Sequence, residues 1–95
     1  MKVVYKYEAP FDNLISVKLP SFAEVLRIDT QLFNPRHPKV MIWARVETES
    51  KIVDCKIRIA GTGTGHELEE GVGNYINTFF IDELGLVFHA FMMKY

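Results

Sequence analysis

The chain has little cysteine, no excess of basic charge and no long apolar run, and each lack excludes a class of protein. Its single cysteine, Cys55, rules out an internal disulfide and a cysteine-rich zinc site. Basic residues number 11 against 12 acidic ones, so we expect no long nucleic acid as a partner. No apolar stretch approaches the ~20 residues of a membrane-spanning helix. Met1-Lys2 leads straight into a strand pattern without a signal peptide, which predicts a cytoplasmic protein with no membrane partner.

Motifs for catalysis are also missing. The Gly/Thr alternation Gly61–His66 lacks the Lys-Ser/Thr ending of a phosphate-binding P-loop, and no βαβ unit surrounds it as a dinucleotide site requires. Cys55 has no evident base partner, and no serine stands in a nucleophile-elbow context. The three histidines, His37, His66 and His89, show no metal-ligand spacing. We therefore predict a protein that is not an enzyme, with no catalytic residue, metal or cofactor.

What the chain does have is apolar alternation with a period of two, which is the period of β-strands. Its 95 residues, 48% apolar and 13% aromatic, fit a single β domain over residues 1–95. The alternation predicts two strands that end at Pro10 and Pro20. A third predicted strand has its inner face on Leu26, Ile28, Thr30 and Leu32. The predicted fold is all-β, a small antiparallel sandwich of about seven strands with no substantial helix.

The middle of the chain predicts a hairpin with a defined register. One strand has an apolar face made of Val40, Ile42, Ala44 and Val46. After a polar turn at Glu49-Ser50, the next has an apolar face made of Val53, Cys55, Ile57 and Ile59. Because apolar faces must match across a hairpin, we expect Arg45 to oppose Asp54 and Trp43 to oppose Lys56 on the outer face.

The C-terminal segment predicts a second hairpin around Asp82–Gly85, with Gly85 at a positive-φ position. Pairing of Ile81 with Leu86 places Phe79 against Phe88, and on the other face Phe80 against Val87 and Thr78 against His89. Both faces are largely apolar, which favours a strand pair covered on both sides. We therefore expect another subunit to cover the second face, giving a homo-oligomer, a dimer or a tetramer. The segment Glu67–Asn74 is the one possible helix, of one turn at most.

Aromatic, basic and hydroxyl side chains along this region predict a binding site for a small anion. An exposed Trp43 beside Arg45 and Lys56 can stack a base while the cations hold phosphates; the alternative is a ring covered by a neighbouring strand or subunit. Arg58 can bind a phosphate with the N–H groups of the glycine-rich turn, or pair with a nearby carboxylate. The candidate ligand-binding residues are Trp43, Arg45, Lys56, Arg58, Thr62, Gly63, Thr64 and His66.

Four short motifs carry a resemblance to a known family. They are Tyr5-Lys6-Tyr7, Leu19-Pro20, Gly63-Thr64-Gly65-His66 and Gly85-Leu86-Val87-Phe88-His89-Ala90-Phe91. In this order the chain resembles a family of small phage-encoded proteins, although its Gly-Thr unit is doubled and its loop through Asn34-Pro35-Arg36 is longer. It is also similar to phage nucleotide sponges of the anti-CBASS type, which are small oligomeric β-rich proteins.

The resemblance to sponges implies a function and a location. It implies an immune-evasion protein that sequesters a cyclic dinucleotide signal, such as 3',3'-cGAMP, at a subunit boundary in the bacterial host cytoplasm without cleaving it. Two other classes stay open: a phage effector that inhibits a host enzyme by protein–protein contact, and a minor accessory protein of the virion.

Overall fold

A computed structural model describes residues 1–31, 34–63 and 68–94. Within this part of the chain, seven antiparallel strands form two sheets, and the predicted all-β sandwich is confirmed. The elements are β1 Lys2–Pro10, β2 Leu14–Pro20, β3 Glu24–Asp29, β4 Lys39–Glu47, β5 Ile52–Gly61, β6 Val72–Ile81, a 3-10 turn Asp82–Leu84 and β7 Leu86–Met93. Sheet A has the strand order β1-β4-β3, and sheet B has the order β2-β5-β7-β6.

The core lies between the sheets and is built from alternate residues of the inner strands. All four apolar residues predicted for the inner face of β4 are buried, and so are Ile57 and Ile59 of β5. Phe11, in the β1–β2 connection, packs edge-to-face against Phe79 and Phe88, with ring centroids 6.3 and 5.1 Å away. Burial of these side chains is the main favourable contribution to folding.

The predicted hairpin between β4 and β5 is wrong. β4 pairs with β1 and β3 in sheet A, whereas β5 pairs with β2 and β7 in sheet B. Their inner faces were assigned correctly, but they face each other across the core instead of lying side by side. The same alternation of apolar residues fits two strands paired in one sheet and two strands packed face to face across a core. The sequence pattern therefore does not distinguish between these arrangements. Trp43 and Arg45 therefore do not oppose Lys56 and Asp54.

The third strand departs from strict alternation. A bulge between Val25 and Arg27 leaves Leu26 41% exposed, while Ile28 is buried as predicted. A bulge adds one residue to one strand, so the side chains before and after it change faces. The strand ends at Asp29 and does not continue through Thr30; the last predicted member, Leu32, lies outside the described residues.

The predicted C-terminal hairpin is confirmed residue by residue. β6 and β7 pair with Ile81 opposite Leu86, and the three further predicted pairs follow in register. Gly85 ends the 3-10 turn with φ 65°, the left-handed conformation that favours glycine. From residue 68 onward, the segment Glu67–Asn74 contains no helix; the Val72 N–H donates to the Glu69 carbonyl, and β6 begins there.

Candidate functional site

The structure divides the predicted ligand-binding residues between two surfaces. Trp43 and Arg45 lie on the outer face of sheet A, and Lys56 and Arg58 lie on the outer face of sheet B. Thr62 and Gly63 follow the end of β5, and Gly63 has a positive φ of 66°. Thr64 and His66 lie outside the described residues. Within one chain, Trp43 does not share a site with Lys56 and Arg58, because the sandwich core separates them.

On sheet A, Trp43 is half-buried among cations of its own sheet. Its cross-strand neighbours are Lys6 of β1 and Arg27 of β3. Arg45 pairs with Glu24, with Nε 3.1 Å from Oε1. The alternative in which neighbouring strands cover the Trp43 ring fits this arrangement better than a free stacking platform.

On sheet B, Arg58 is bound by groups of the protein itself. Its Nε donates to Glu69 Oε1 at 2.6 Å, and its Nη1 donates to the Asn13 carbonyl at 3.1 Å. This hydrogen bond to Arg58 holds the pKa of the Glu69 carboxyl below its usual value. The alternative that Arg58 pairs with a nearby carboxylate is therefore confirmed. A phosphate at Arg58 has to share or replace Glu69.

Lys56 has a neutral partner. Its Nζ donates to Ser16 Oγ at 2.5 Å, across the β2–β5 pair. A hydroxyl does not compensate the ammonium charge, so this contact leaves Lys56 able to attract an anion. Since alternate residues of a strand share a face, Lys56 and Arg58 are about 7 Å apart along β5.

A continuous hydrogen-bonded chain crosses the same face, from β5 to β6. Thr62 Oγ1 lies 2.7 Å from His89 Nε2, and His89 Nδ1 lies 2.8 Å from Thr78 Oγ1. Thr78 Oγ1 is in turn 2.7 Å from Tyr75 Oη. The predicted pairing of Thr78 with His89 is confirmed, and it brings their side chains within hydrogen-bond distance.

A contact between Thr62 and a backbone carbonyl favours one direction of these hydrogen bonds when His89 is neutral. Thr62 Oγ1 also lies 3.4 Å from the Val87 carbonyl, which can only accept. Thr62 then donates to Val87 and accepts from His89 Nε2, so Nδ1 accepts from Thr78 and Thr78 accepts from Tyr75. In this arrangement Tyr75 donates inward and leaves its oxygen free to accept from a bound molecule.

Aromatic rings surround this polar chain. Tyr75 and Phe80 are each 57% exposed, and the Tyr75 ring meets Phe91 edge-to-face with centroids 5.7 Å apart. Sequence reasoning missed Tyr75, because register shifts on both sides of it in β6 change its face. It could have identified Phe80, which the predicted register places beside His89 and Thr78. We call Tyr75, Phe80 and Phe91 the aromatic face.

The other reactive side chains contribute little to a site. Cys55 lies opposite Val17, and burial followed by the charge of Asp54 raises the pKa of its thiol, which reduces its reactivity. Across the described ranges, no group of three or more His, Cys, Asp or Glu side chains could hold a metal ion. Over the same ranges, no helix is long and apolar enough to cross a membrane.

Comparison with known proteins gives a family without an assigned role. One family model, described as a domain of unknown function (DUF7352), matches residues 1–95. No curated protein and no solved structure matches the chain.

Proposed function

We propose, for a chain that belongs to the DUF7352 family, that the outer face of sheet B binds a phosphate-bearing nucleotide and holds it without cleaving it. The observation that carries this proposal is the exposure of Tyr75 and Phe80 on the same sheet face as a hydrogen-bonded chain of hydroxyls and one imidazole. Aromatic side chains on an open sheet face stack bases, each worth about 1–3 kcal/mol.

The polar groups of the face suit the rest of a nucleotide. Lys56 and Arg58 lie on one strand of this face, and each can donate a hydrogen bond to a phosphate oxygen. The Asn13 carbonyl already orients Arg58, so little side-chain entropy is lost when Arg58 binds an anion in place of Glu69. The free oxygen of Tyr75 accepts a hydrogen bond from a base amine or a ribose hydroxyl.

A cyclic dinucleotide is the member of this class that matches the face best. It brings two bases for Tyr75 and Phe80, and two phosphates for Lys56 and Arg58. The resemblance to phage nucleotide sponges supports the same ligand class. Stoichiometric binding without chemistry is enough for sequestration, since tight binding alone lowers the free ligand.

Calorimetry with 3',3'-cGAMP tests the proposal, with a linear dinucleotide and inorganic phosphate for comparison. We expect Tyr75→Ala to weaken binding roughly 5- to 150-fold, which corresponds to the loss of one stacked base. Tyr75→Phe keeps the ring and removes the hydroxyl, so it separates stacking from the hydrogen-bonded chain. Trp43→Phe, on the opposite surface, is the control and should bind as the native protein does.

Recovery of the ligand after incubation tests the second half of the proposal. Chromatography should return the cyclic dinucleotide intact. Absence of heat with every nucleotide would contradict nucleotide binding. That result would favour the two other classes, an inhibitor of a host enzyme and an accessory protein of the virion. Conversion of the ligand would contradict binding without chemistry.

A further inference from the structure

Phe22 combines full exposure with an unfavourable backbone conformation. It is the third residue of a turn closed by the Ala23 N–H, which donates to the Pro20 carbonyl at 3.1 Å. Its φ is 63°, and its side chain is fully exposed. Glycine or asparagine normally occupies this position, because a bulky side chain at positive φ is strained. Such strain persists where the surroundings impose it and often marks a functional position.

The turn is held firmly at its base, so the ring projects from a fixed point. Pro20 is buried at the end of β2, and the Ser21 N–H donates to the Lys51 carbonyl at 2.7 Å. β3 begins two residues after Phe22 and is paired with β4. An exposed aromatic ring on a well-held backbone suits an interface, because it buries a large apolar area and has only two side-chain torsions to order.

A depression adjoins the ring on the same end of the sandwich. Its volume is about 280 Å³, and its lining includes Lys2, Glu24, Arg45, Val46 and Glu47 together with Phe22 itself. This volume lies just below the usual range of small-molecule pockets, about 300–1,000 Å³, and is large enough to receive one large side chain.

We propose that this end of the sandwich is an interface for a second copy of the chain, in which Phe22 of each copy enters the depression of the other. The walls supply two cations, Lys2 and Arg45, and two carboxylates, Glu24 and Glu47. A two-fold axis brings a surface against itself, and a patch with equal numbers of both charges does not repel its own copy. The Arg45 guanidinium, already oriented by Glu24, can stack on the incoming ring.

This interface lies apart from the proposed nucleotide site and does not depend on it. Phe22 follows Pro20, which pairs with Ile52 at the first residue of β5. Thr62 lies beyond the last residue of the same strand. Ten residues of β-strand span roughly 33 Å, so Phe22 and Thr62 lie near opposite ends of β5.

Sedimentation equilibrium over a concentration series tests the proposal with two variants. We expect the native chain to form dimers and Phe22→Gly to weaken the dimer tenfold or more. Glycine adopts the φ of this turn without strain, so the variant should remain folded, with a melting temperature at low concentration equal to or above that of the native chain. Leu84→Ala removes another exposed apolar side chain, at the far turn, and should leave the dimer unchanged.

Three results would overturn the proposal. The first is a native chain that stays monomeric at the highest concentration. The second is a Phe22→Gly variant that dimerises as tightly as the native chain. The third is a dimer that Phe80→Ala abolishes while Phe22→Gly leaves it intact, which would place the interface on the aromatic face. Nucleotide calorimetry on Phe22→Gly separates the two proposals, because it should bind ligand with native affinity per chain.

Discussion

One side chain, Asn77 of β6, joins the two sheets at their edges. Its Oδ1 accepts from the Ile28 N–H at 2.8 Å, and its Nδ2 donates to the Ile28 carbonyl at 2.8 Å. β3 is an edge strand of sheet A, so these backbone groups have no strand partner on that side. The amide completes the pairing of a buried residue as a neighbouring strand would.

We predict that Asn77→Ala lowers the free energy of unfolding by about 2–4 kcal/mol, since it leaves a donor and an acceptor at Ile28 without partners. Urea unfolding measures this change. Asn74→Ala, at an exposed position of the same strand, is the control and should change stability by less than about 0.5 kcal/mol. Equal effects of the two substitutions would contradict a role for Asn77 in joining the sheets.

The ion pair between Arg58 and Glu69 makes stability depend on pH in a known direction. Because the hydrogen bond to Arg58 lowers the folded-state pKa of Glu69 below its ordinary 4.5, the pair stabilises the fold above that value. The contribution is lost as pH falls through the folded-state pKa. We predict that the stability difference between the native chain and Glu69→Gln vanishes in acid. Thermal melts from pH 7 downward measure it.

The same substitution also tests whether Glu69 competes with a phosphate. Glu69→Gln removes the carboxylate from Arg58 and should strengthen the binding of phosphate-bearing nucleotides at neutral pH. Glu70→Gln removes an adjacent exposed charge and serves as the matched control. If both variants bind nucleotide equally, Arg58 does not contact the phosphate.

Among the elements, β6 has the most irregular pairing, and a glycine permits it. A Cβ on Gly73 would lie 2.8 Å from the Met92 carbonyl oxygen, which is backbone of the neighbouring strand. The register shifts beside this position, between Val72 and Tyr75, turn Tyr75 to the outer face. The irregular pairing around Gly73 therefore accounts both for the close approach of β6 and β7 and for the position of the Tyr75 ring.

We predict that Gly73→Ala destabilises the fold by about 1–3 kcal/mol, because the two strands must separate to admit a methyl group. Gly85→Ala offers a contrast, since its new methyl would meet nothing within 4 Å and the cost is backbone strain alone, about 1 kcal/mol. Chemical denaturation compares the two. A Gly73→Ala variant as stable as the native chain would show that β6 accommodates the side chain.

The elements also show how much of this fold sequence reasoning could predict. Faces were predictable, because alternation identifies which side chains point inward, as in β4 and the β6–β7 hairpin. The strands that pair with β4 could not be predicted. The turn after Glu47 leads into the other sheet, and the local sequence pattern does not indicate this change of sheet. The bulges at Leu26 and before Tyr75 were also missed, because each shifts the alternation by one residue.

At the scale of the whole molecule, the wrong pairing partner of β4 also made the predicted composition of the binding site wrong. Placing β4 beside β5 joined Trp43 to the cations of β5, whereas the sandwich puts Trp43 on the opposite surface. Lys56, Arg58 and Thr62 stayed together because they lie on β5 or directly after it, where distance along the sequence corresponds to distance in space. The contribution of Tyr75 depends on long-range pairing and needed the structure.

The separation of Trp43 from the aromatic face makes one measurement especially direct. Trp43 is the only tryptophan of the sequence, so its indole N–H gives a single signal in a two-dimensional ¹H–¹⁵N spectrum. In a titration with 3',3'-cGAMP, we predict that the backbone signals of Thr62, Tyr75, Phe80 and His89 shift while the Trp43 indole signal stays in place. An unchanged spectrum, or shifts centred on Trp43, would contradict a nucleotide site on the outer face of sheet B.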